Sequence, residues 1–360
     1  MRTKLKKTIV LLVKLAVAAA LLAYVFSKVH WHDATVTVDG QETVQKGFLS
    51  TIAAARPGLL AVAAVAFTLP VGILAVRWWY LLRIQRIRIS LWESVRLTYL
   101  GTFFNFIVPG AVSGDLVKAY YVSRHTDKTA AVLVSVFVDR VIGLLEFAIM
   151  PAVAMSILLA AGLATRELRM PAIAVASVLA TVAVSMSLLL SPRLRAALHL
   201  QTLLRRLPLQ RQLAMAGQAA ALYGRRLKTL AAALGITMGS QVIFIFAIFL
   251  VGQALGLPVP WHVYYVYVPL IYIVAAVPIS PGGLGVVEAL FVQFFAPAGA
   301  GTTETLAMVL MCRVLQLFCS LPGLLVALTG PKLPDRKEMQ AELQSAAGPP
   351  EAVQASSKGQ

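Results

Sequence analysis

The sequence predicts an all-α polytopic membrane protein, and three observations carry that reading. Hydrophobic residues make up 59% of the 360 and charged residues only 13%, a balance outside the range of soluble domains. Six apolar runs reach spanning length: Thr8–Phe26, Pro57–Leu82, Thr129–Ala161, Met170–Leu190, Thr229–Leu250 and Thr305–Thr329. Two further pairs of shorter apolar segments are each interrupted by proline and glycine, in Asn105–Asp115 (NFIVPGAVSGD) and Pro278–Glu288 (PISPGGLGVVE). Lipid cannot hydrogen-bond a freed backbone group, so such breaks persist only inside protein or against a water-filled cavity.

The elements follow in order from the charge pattern. Basic residues Arg2–Lys7 hold the N-terminus inside, and the first run lacks an A-x-A-like cleavage site, so it reads as a retained span over 1–26. The insert 27–56 then lies outside, with balanced charges (Lys28, Lys46 and Arg56 against Asp33, Asp39 and Glu42). Alternation over Ala34–Val44 around Asp39-Gly40 predicts a small external β-hairpin. The second span returns to the basic Arg83–Arg88 loop, ending in Arg77, Trp78, Trp79 and Tyr80, which read as an interfacial belt.

From the inner face, Leu91–Val108 enters and Ala111–Arg124 returns, a re-entrant hairpin whose arms are too short to cross ~30 Å. One span exits and Met170–Leu190 comes back, completing a first membrane repeat with one extra span over 57–190. The loop 191–228 is cytoplasmic: Arg193–Lys228 carries eight Lys or Arg and no acid. Residues 229–330 then repeat span, broken hairpin and span from the opposite face, as Thr229–Leu250, Trp261–Val277 with Leu284–Phe295, and the final run. The expected architecture is therefore about six full spans plus two re-entrant broken-helix hairpins in an inverted repeat. The tail 331–360, rich in Gly, Pro, Ser, Glu and Gln, reads as disordered and cytoplasmic. Both termini are thus expected inside, at the cell's inner (plasma) membrane.

The net charge of +17 is distributed along short flanks of membrane segments, which argues for positive-inside topology and attraction to anionic headgroups rather than nucleic acid. Cys312 and Cys319 share a helix face one heptad apart, too distant for a disulfide, and read as small buried hydrophobes. No phosphate loop, H-E-x-x-H, Cys/His metal spacing or G-x-S-x-G occurs. Neither a cofactor nor a metal is expected, and any enzymatic reading must rest on intramembrane acids alone.

Those acids define the candidate binding residues. Asp115 and Lys118 follow the first break on one helix face, as a helix cap with a local ion pair or as a site for a charged headgroup or proton. Asp139, Arg140 and Glu146 lie within one apolar span, where ionisable groups are expensive. Asp139 and Glu146 share a face and Arg140 is rotated from it by about 100°, so an ion pair to Arg140 and a polar path are both open. At the second break, Pro281, Gly282, Gly283 and Gly285 let backbone amides turn toward an anion such as phosphate, while Glu288 suits a cap, a proton, a cation or a salt bridge to Arg313. Asn105, Gln241, Gln293 and Gln316 are secondary polar candidates.

The run Asn105–Lys118 (NFIVPGAVSGDLVK), then Val138-Asp139-Arg140, then Pro278–Glu288 resembles the flippase-like membrane family that includes the N-terminal membrane region of lysylphosphatidylglycerol synthases, the bacterial multiple peptide resistance factors. The resemblance runs from about Pro57 to Gly330. Family positions fall on the turn at Pro109 and Gly110, on Gly114-Asp115, on Asp139-Arg140 and on Pro281–Gly285 ending in Glu288. It implies translocation of a lipid between leaflets, or support for handling lipid-linked intermediates. The family often places Arg three residues after the Gly-Asp aspartate, where this sequence has Lys118, a point charge without the guanidinium fork. The soluble aminoacyl-transferring domain of the synthases is not expected here, so no aminoacyl transfer is implied. The external hairpin is not associated with the family core.

The expected function is a lipid flippase or scramblase-like transporter for a phospholipid or polyprenyl-phosphate-linked lipid, with anionic membrane lipids as partners. A non-transporting membrane subunit docking a cytoplasmic partner through Arg193–Lys228 is the first alternative. A membrane-embedded transferase on lipid-linked substrates is the second. An oligomer is compatible with the small residues in several spans.

Overall fold

The computed structural model describes residues 2–38, 41–45, 47–107, 113–126, 128–162, 169–190, 215, 223, 226–277, 280–329, 338–339 and 342. Pro109, Gly110, Pro278 and most of the 191–228 loop and the 331–360 tail lie outside them. Helices dominate: α1 (Arg2–Ser27), α2 (Phe48–Ala53), α3 (Pro57–Ile84), α4 (Leu91–Ile107), α5 (Ser113–Ser123), α6 (Thr129–Ala160), α7 (Arg169–Leu190), α8 (Leu227–Ala254), α9 (Trp261–Ala275), α10 (Val286–Phe295) and α11 (Thr302–Thr329). Four of them, α3, α6, α8 and α11, are continuous helices of 27 to 32 residues that are apolar enough to cross a membrane. The chain is an all-α polytopic membrane protein.

The stretch Pro281–Ala298 also reaches 18 residues of spanning hydropathy, but only by counting 3-10 turns at both ends of a ten-residue α-helix. Gly282, Gly283 and Gly285 have φ of 62°, 69° and 79°, a left-handed backbone that stops the helix from running through. The arms α4, α5, α9 and α10 are 17, 11, 15 and 10 residues long. At 1.5 Å per residue they extend about 15–26 Å, short of the ~30 Å hydrocarbon core.

The expected β-hairpin forms: β1 (Ala34–Val38) pairs antiparallel with β2 (Gln41–Gln45), from Ala34↔Gln45 to Val38↔Gln41. Its tip, Asp39 and Gly40, lies outside the described residues. Asp33 anchors its base by accepting from the Gly47 amide at 2.7 Å and from the Ser50 hydroxyl. The short α2, read from the sequence as loop, follows. The His30 amide donates to Thr303 Oγ1 at 3.2 Å, tying the insert to the start of α11.

The most extensive helix contacts are α3 with α8, α4 with α11, and α9 with α6. The first hairpin therefore leans on the last span of the second half, and the second hairpin on the last long span of the first. With no hydrophobic drive between helices in lipid, close approach relies on small residues. Gly101 and Gly114 bring α4 and α5 into backbone contact, and Gly323 brings α11 against Tyr99 O of α4. The largest core cluster joins α3, α6, α8, α9, α10 and α11, with Tyr264, Phe295, Ile248 and Leu270 fully buried.

Two expectations are corrected. Arg77 and Trp78 are not an interfacial belt: they are 5% and 1% exposed, because α4, α5 and α6 pack over that end of α3. The expected disorder of the tail does not extend to Met339, which is buried with Trp78, Leu82 and Ile87, where a flexible thioether side chain fills an irregular gap.

Candidate functional site

At the first break the chain is held by its own side chain. Asn105, at the end of α4, accepts the Gly114 amide on Oδ1 at 3.0 Å. A Cβ at Gly114 would collide with Gly101 O, so the tight α4–α5 approach needs glycine there. This fixes Asp115 in the first turn of α5, 4% exposed. Among the described residues its carboxylate makes no capping bond to α5. It takes Lys118 Nζ at 3.2 Å on Oδ1 and the Nε–H of Arg140, from α6, on Oδ2. Lys118 is 8% exposed and also sits 5.0 Å from the centre of the Trp78 ring, a favourable cation–π position. The Arg140 side chain is 46% exposed, so part of its guanidinium faces outward. Two cations share one carboxylate, leaving this cluster with an excess positive charge.

The second break has a related arrangement. Glu288, 0% exposed in the first turn of α10, reaches back to accept the Gly285 amide on Oε2 at 2.7 Å, as the third residue of a capping box does. Its Oε1 accepts the Arg313 Nε–H at 2.5 Å, from α11. Arg313 also approaches Gly283 O with Nη2 at 3.5 Å. The alternatives of cap and salt bridge are thus both met by one carboxylate. The amides of Gly283, Leu284 and Gly285 are already engaged with Ser280 O, Pro281 O and Glu288. The charged donor at this turn is Arg313, which has five donors and commits two of them to Glu288 and Gly283. Gly285 itself touches Ala18 and Leu21, so α1 covers the break.

Asp115 and Arg140 are 25 residues apart, and so are Glu288 and Arg313. In each half an acid in the first turn of the short returning helix meets an arginine on the next long helix. A cavity of ≈ 180 Å³ lies beside the second pair, lined by Arg313, Gln316, Gly282, Tyr272 and apolar side chains, with Phe106 from the first hairpin. That is near the ~150 Å³ of a cavity that accepts benzene, room for a headgroup and not for a whole lipid.

Asp139 does not pair with the adjacent Arg140. It faces the other side of α6, where Arg77 donates from Nε at 2.9 Å and approaches from Nη2 at 2.8 Å. Arg77 Nη1 donates to Thr237 Oγ1 of α8 at 2.8 Å, so three long helices meet at one guanidinium. Arg77 and Thr237 were missed from the sequence as site residues. An arginine inside an apolar run was the available signal. Glu146 is buried at 5%, on the face of Asp139 and paired with neither break's arginine. Cys312 is buried and Cys319 partly so, both as free thiols. Among the described residues no group of three His, Cys, Asp or Glu could hold a metal ion.

Residues 11–323 match the family model described as Lysylphosphatidylglycerol synthase TM region, and the chain belongs to that family. The match begins within α1, earlier than the resemblance read from the motifs, and so takes in the β-hairpin insert. A search of curated proteins returned no match. The chain is a multi-pass membrane protein related to lipid metabolism.

Proposed function

We propose that this protein moves a phospholipid or polyprenyl-phosphate-linked lipid between leaflets, as a flippase or scramblase-like transporter. The observation that carries the reading is the repeated acid–arginine pair, Asp115–Arg140 and Glu288–Arg313, at two helix breaks, the second beside a headgroup-sized cavity that Phe106 of the first hairpin also lines. Broken helices at corresponding places in two halves are where transporters bind substrate. We read the halves as an inverted repeat: α3, α4–α5 and α6 correspond to α8, α9–α10 and α11. Exchanging the halves turns the α4–α11 contact into α9–α6 and leaves α3–α8 unchanged. Each short hairpin then re-enters from its own face, with both termini cytoplasmic in the inner membrane.

In this mechanism the anionic headgroup leaves its tails in lipid and meets the uncommitted guanidinium donors of Arg140 and Arg313, with Lys118 adding charge. Asp115 and Glu288 hold the arginines in place when no headgroup is bound, so neither cation is left unpaired in a low-dielectric region. Leaflet exchange of headgroup-labelled lipids in proteoliposomes, followed by dithionite quenching, tests the reading. The Asp115→Asn/Glu288→Gln double variant should lose exchange while remaining folded. Absence of exchange by folded wild-type protein across the lipid classes tested would overturn the transport reading.

A further inference from the structure

Glu146 and Gln241 are buried polar side chains that none of the ion pairs above engages. They are 5% and 6% exposed. Among the described residues the Glu146 carboxyl forms no hydrogen bond or ion pair, and Gln241 Nε2 has no acceptor. Burying such groups unsatisfied is unfavourable, so their joint presence needs a cause.

Their positions converge. Val138, Ile142 and Glu146 form one i, i+4 row on α6, and Val138 and Ile142 pack against Leu81 of α3 and Ala233 of α8. Ala233, Thr237 and Gln241 form the facing row on α8, with Thr237 bonded to Arg77. From the Arg77–Asp139–Thr237 clamp, Glu146 lies about 10 Å along α6 and Gln241 about 6 Å along α8, in the same chain direction. The repeat supplies an independent check. Glu288 and Arg313 lie 173 residues after Asp115 and Arg140. On that register Glu146 corresponds to Cys319 and Gln241 to Thr68. Those two counterparts meet: Thr68 Oγ1 is 4.0 Å from Cys319 Sγ. The seam between α3 and α11 thus holds a small hydroxyl and thiol at the position where the seam between α6 and α8 has a carboxyl and a carboxamide.

We propose that Glu146 and Gln241 form a proton-binding site in the seam between α6 and α8. Arg77 is the charge whose field reaches Glu146, but Asp139 already balances it. A Glu146 carboxylate would therefore add an uncompensated charge to an apolar interior. Protonation forms one O–H bond, the proton coming from water and returning to water. The Gln241 amide steadies the carboxylate whenever the proton has left. The other packed elements bring few charges: α8 carries only Lys228 near its start, α7 only Arg169 at its own, and α9 brings His262 and tyrosines, Tyr272 stacking on Phe147. Asp115 and Lys118 of α5 are held with Arg140. Proton binding stands on this geometry, and its coupling to lipid movement rests on the function proposed above.

Infrared difference spectroscopy of the full chain in lipid nanodiscs across a pH series reads this site directly. The carbonyl band of a protonated carboxyl should titrate in the wild type, vanish in Glu146→Gln and persist in Glu288→Gln. Gln241→Leu should raise the midpoint by about one pH unit, the loss of one hydrogen bond to a charged group. That variant keeps the test intact should Glu146→Gln fail to fold. A band that survives Glu146→Gln, or a midpoint that Gln241→Leu leaves in place, overturns the proposal. Should the band behave as expected in a protein that moves no lipid, the proton site stands and the transport reading falls. Lipid exchange without any such band overturns the proton site and leaves the transport reading in place.

Discussion

Arg313 on α11 donates its Nε–H to Glu288 on α10 at 2.5 Å, while the same carboxylate takes the Gly285 amide with its other oxygen at 2.7 Å. One side chain therefore closes the second break in two directions: backward along its own helix and sideways to the last span. This makes Glu288 structural before it is anything else. Glu288→Ala leaves an unpaired cation and an unsatisfied amide, and should destabilise the folded protein by about 3–5 kcal/mol. Glu288→Gln can keep the amide bond and should lose clearly less. Thermal unfolding in detergent micelles compares the two; equal losses would show that the cap contributes nothing.

Gly114 offers a steric test of the first break. An added Cβ meets Gly101 O, whereas at Gly72, within α3, it meets nothing within 4 Å. Gly114→Ala should destabilise by about 1–3 kcal/mol. Gly72→Ala should be neutral or slightly stabilising, since a helical position prefers alanine by about 1 kcal/mol. The same unfolding measurement decides, and a silent Gly114→Ala would mean that α4 and α5 are not in backbone contact.

The Arg77–Asp139 pair predicts strong coupling. Both side chains are buried, so Arg77→Met or Asp139→Leu alone strands a charge, at about 3–5 kcal/mol each. The double variant removes both charges and should recover most of that loss. A double-mutant cycle measures it, and additive losses would place the two residues in separate environments.

Arg140 separates charge from geometry. Its side chain is 46% exposed, so Arg140→Lys should leave folding nearly unchanged. A lysine keeps the charge but lacks the planar fork that binds a phosphate and a carboxylate together. Leaflet exchange should fall by roughly tenfold, corresponding to one lost charge-assisted hydrogen bond. Full exchange by this variant would remove the headgroup role assigned to the guanidinium.

Much of the architecture was legible because lipid simplifies the code. A backbone that must satisfy its own hydrogen bonds becomes helix wherever the run is apolar, so Pro57–Leu82 and Thr129–Ala161 differ from α3 and α6 by at most two residues. Proline and glycine marked the two breaks for the same reason, and alternation around Asp39-Gly40 marked the hairpin. Asp115, Lys118, Arg140, Glu288 and Arg313 were visible as charges where charge is costly. Their partners were only partly visible: Glu288–Arg313 was an explicit option, but Asp115–Arg140 was not.

The sequence by itself determined the helices, the breaks and the family, since each follows from local composition and short spacing. Only the tertiary structure decided which carboxylate meets which arginine. Asp139 and Arg140 are neighbours in the chain, yet one meets Arg77, itself bonded to Thr237, and the other meets Asp115. Successive residues on a helix point about 100° apart, and what each meets depends on helices packed from 62 and 25 residues away. Arg77 shows the same limit: at the end of an apolar run it has the pattern of an interfacial anchor. The packing of α4, α5 and α6 over that end of α3 turns it into the centre of a buried network.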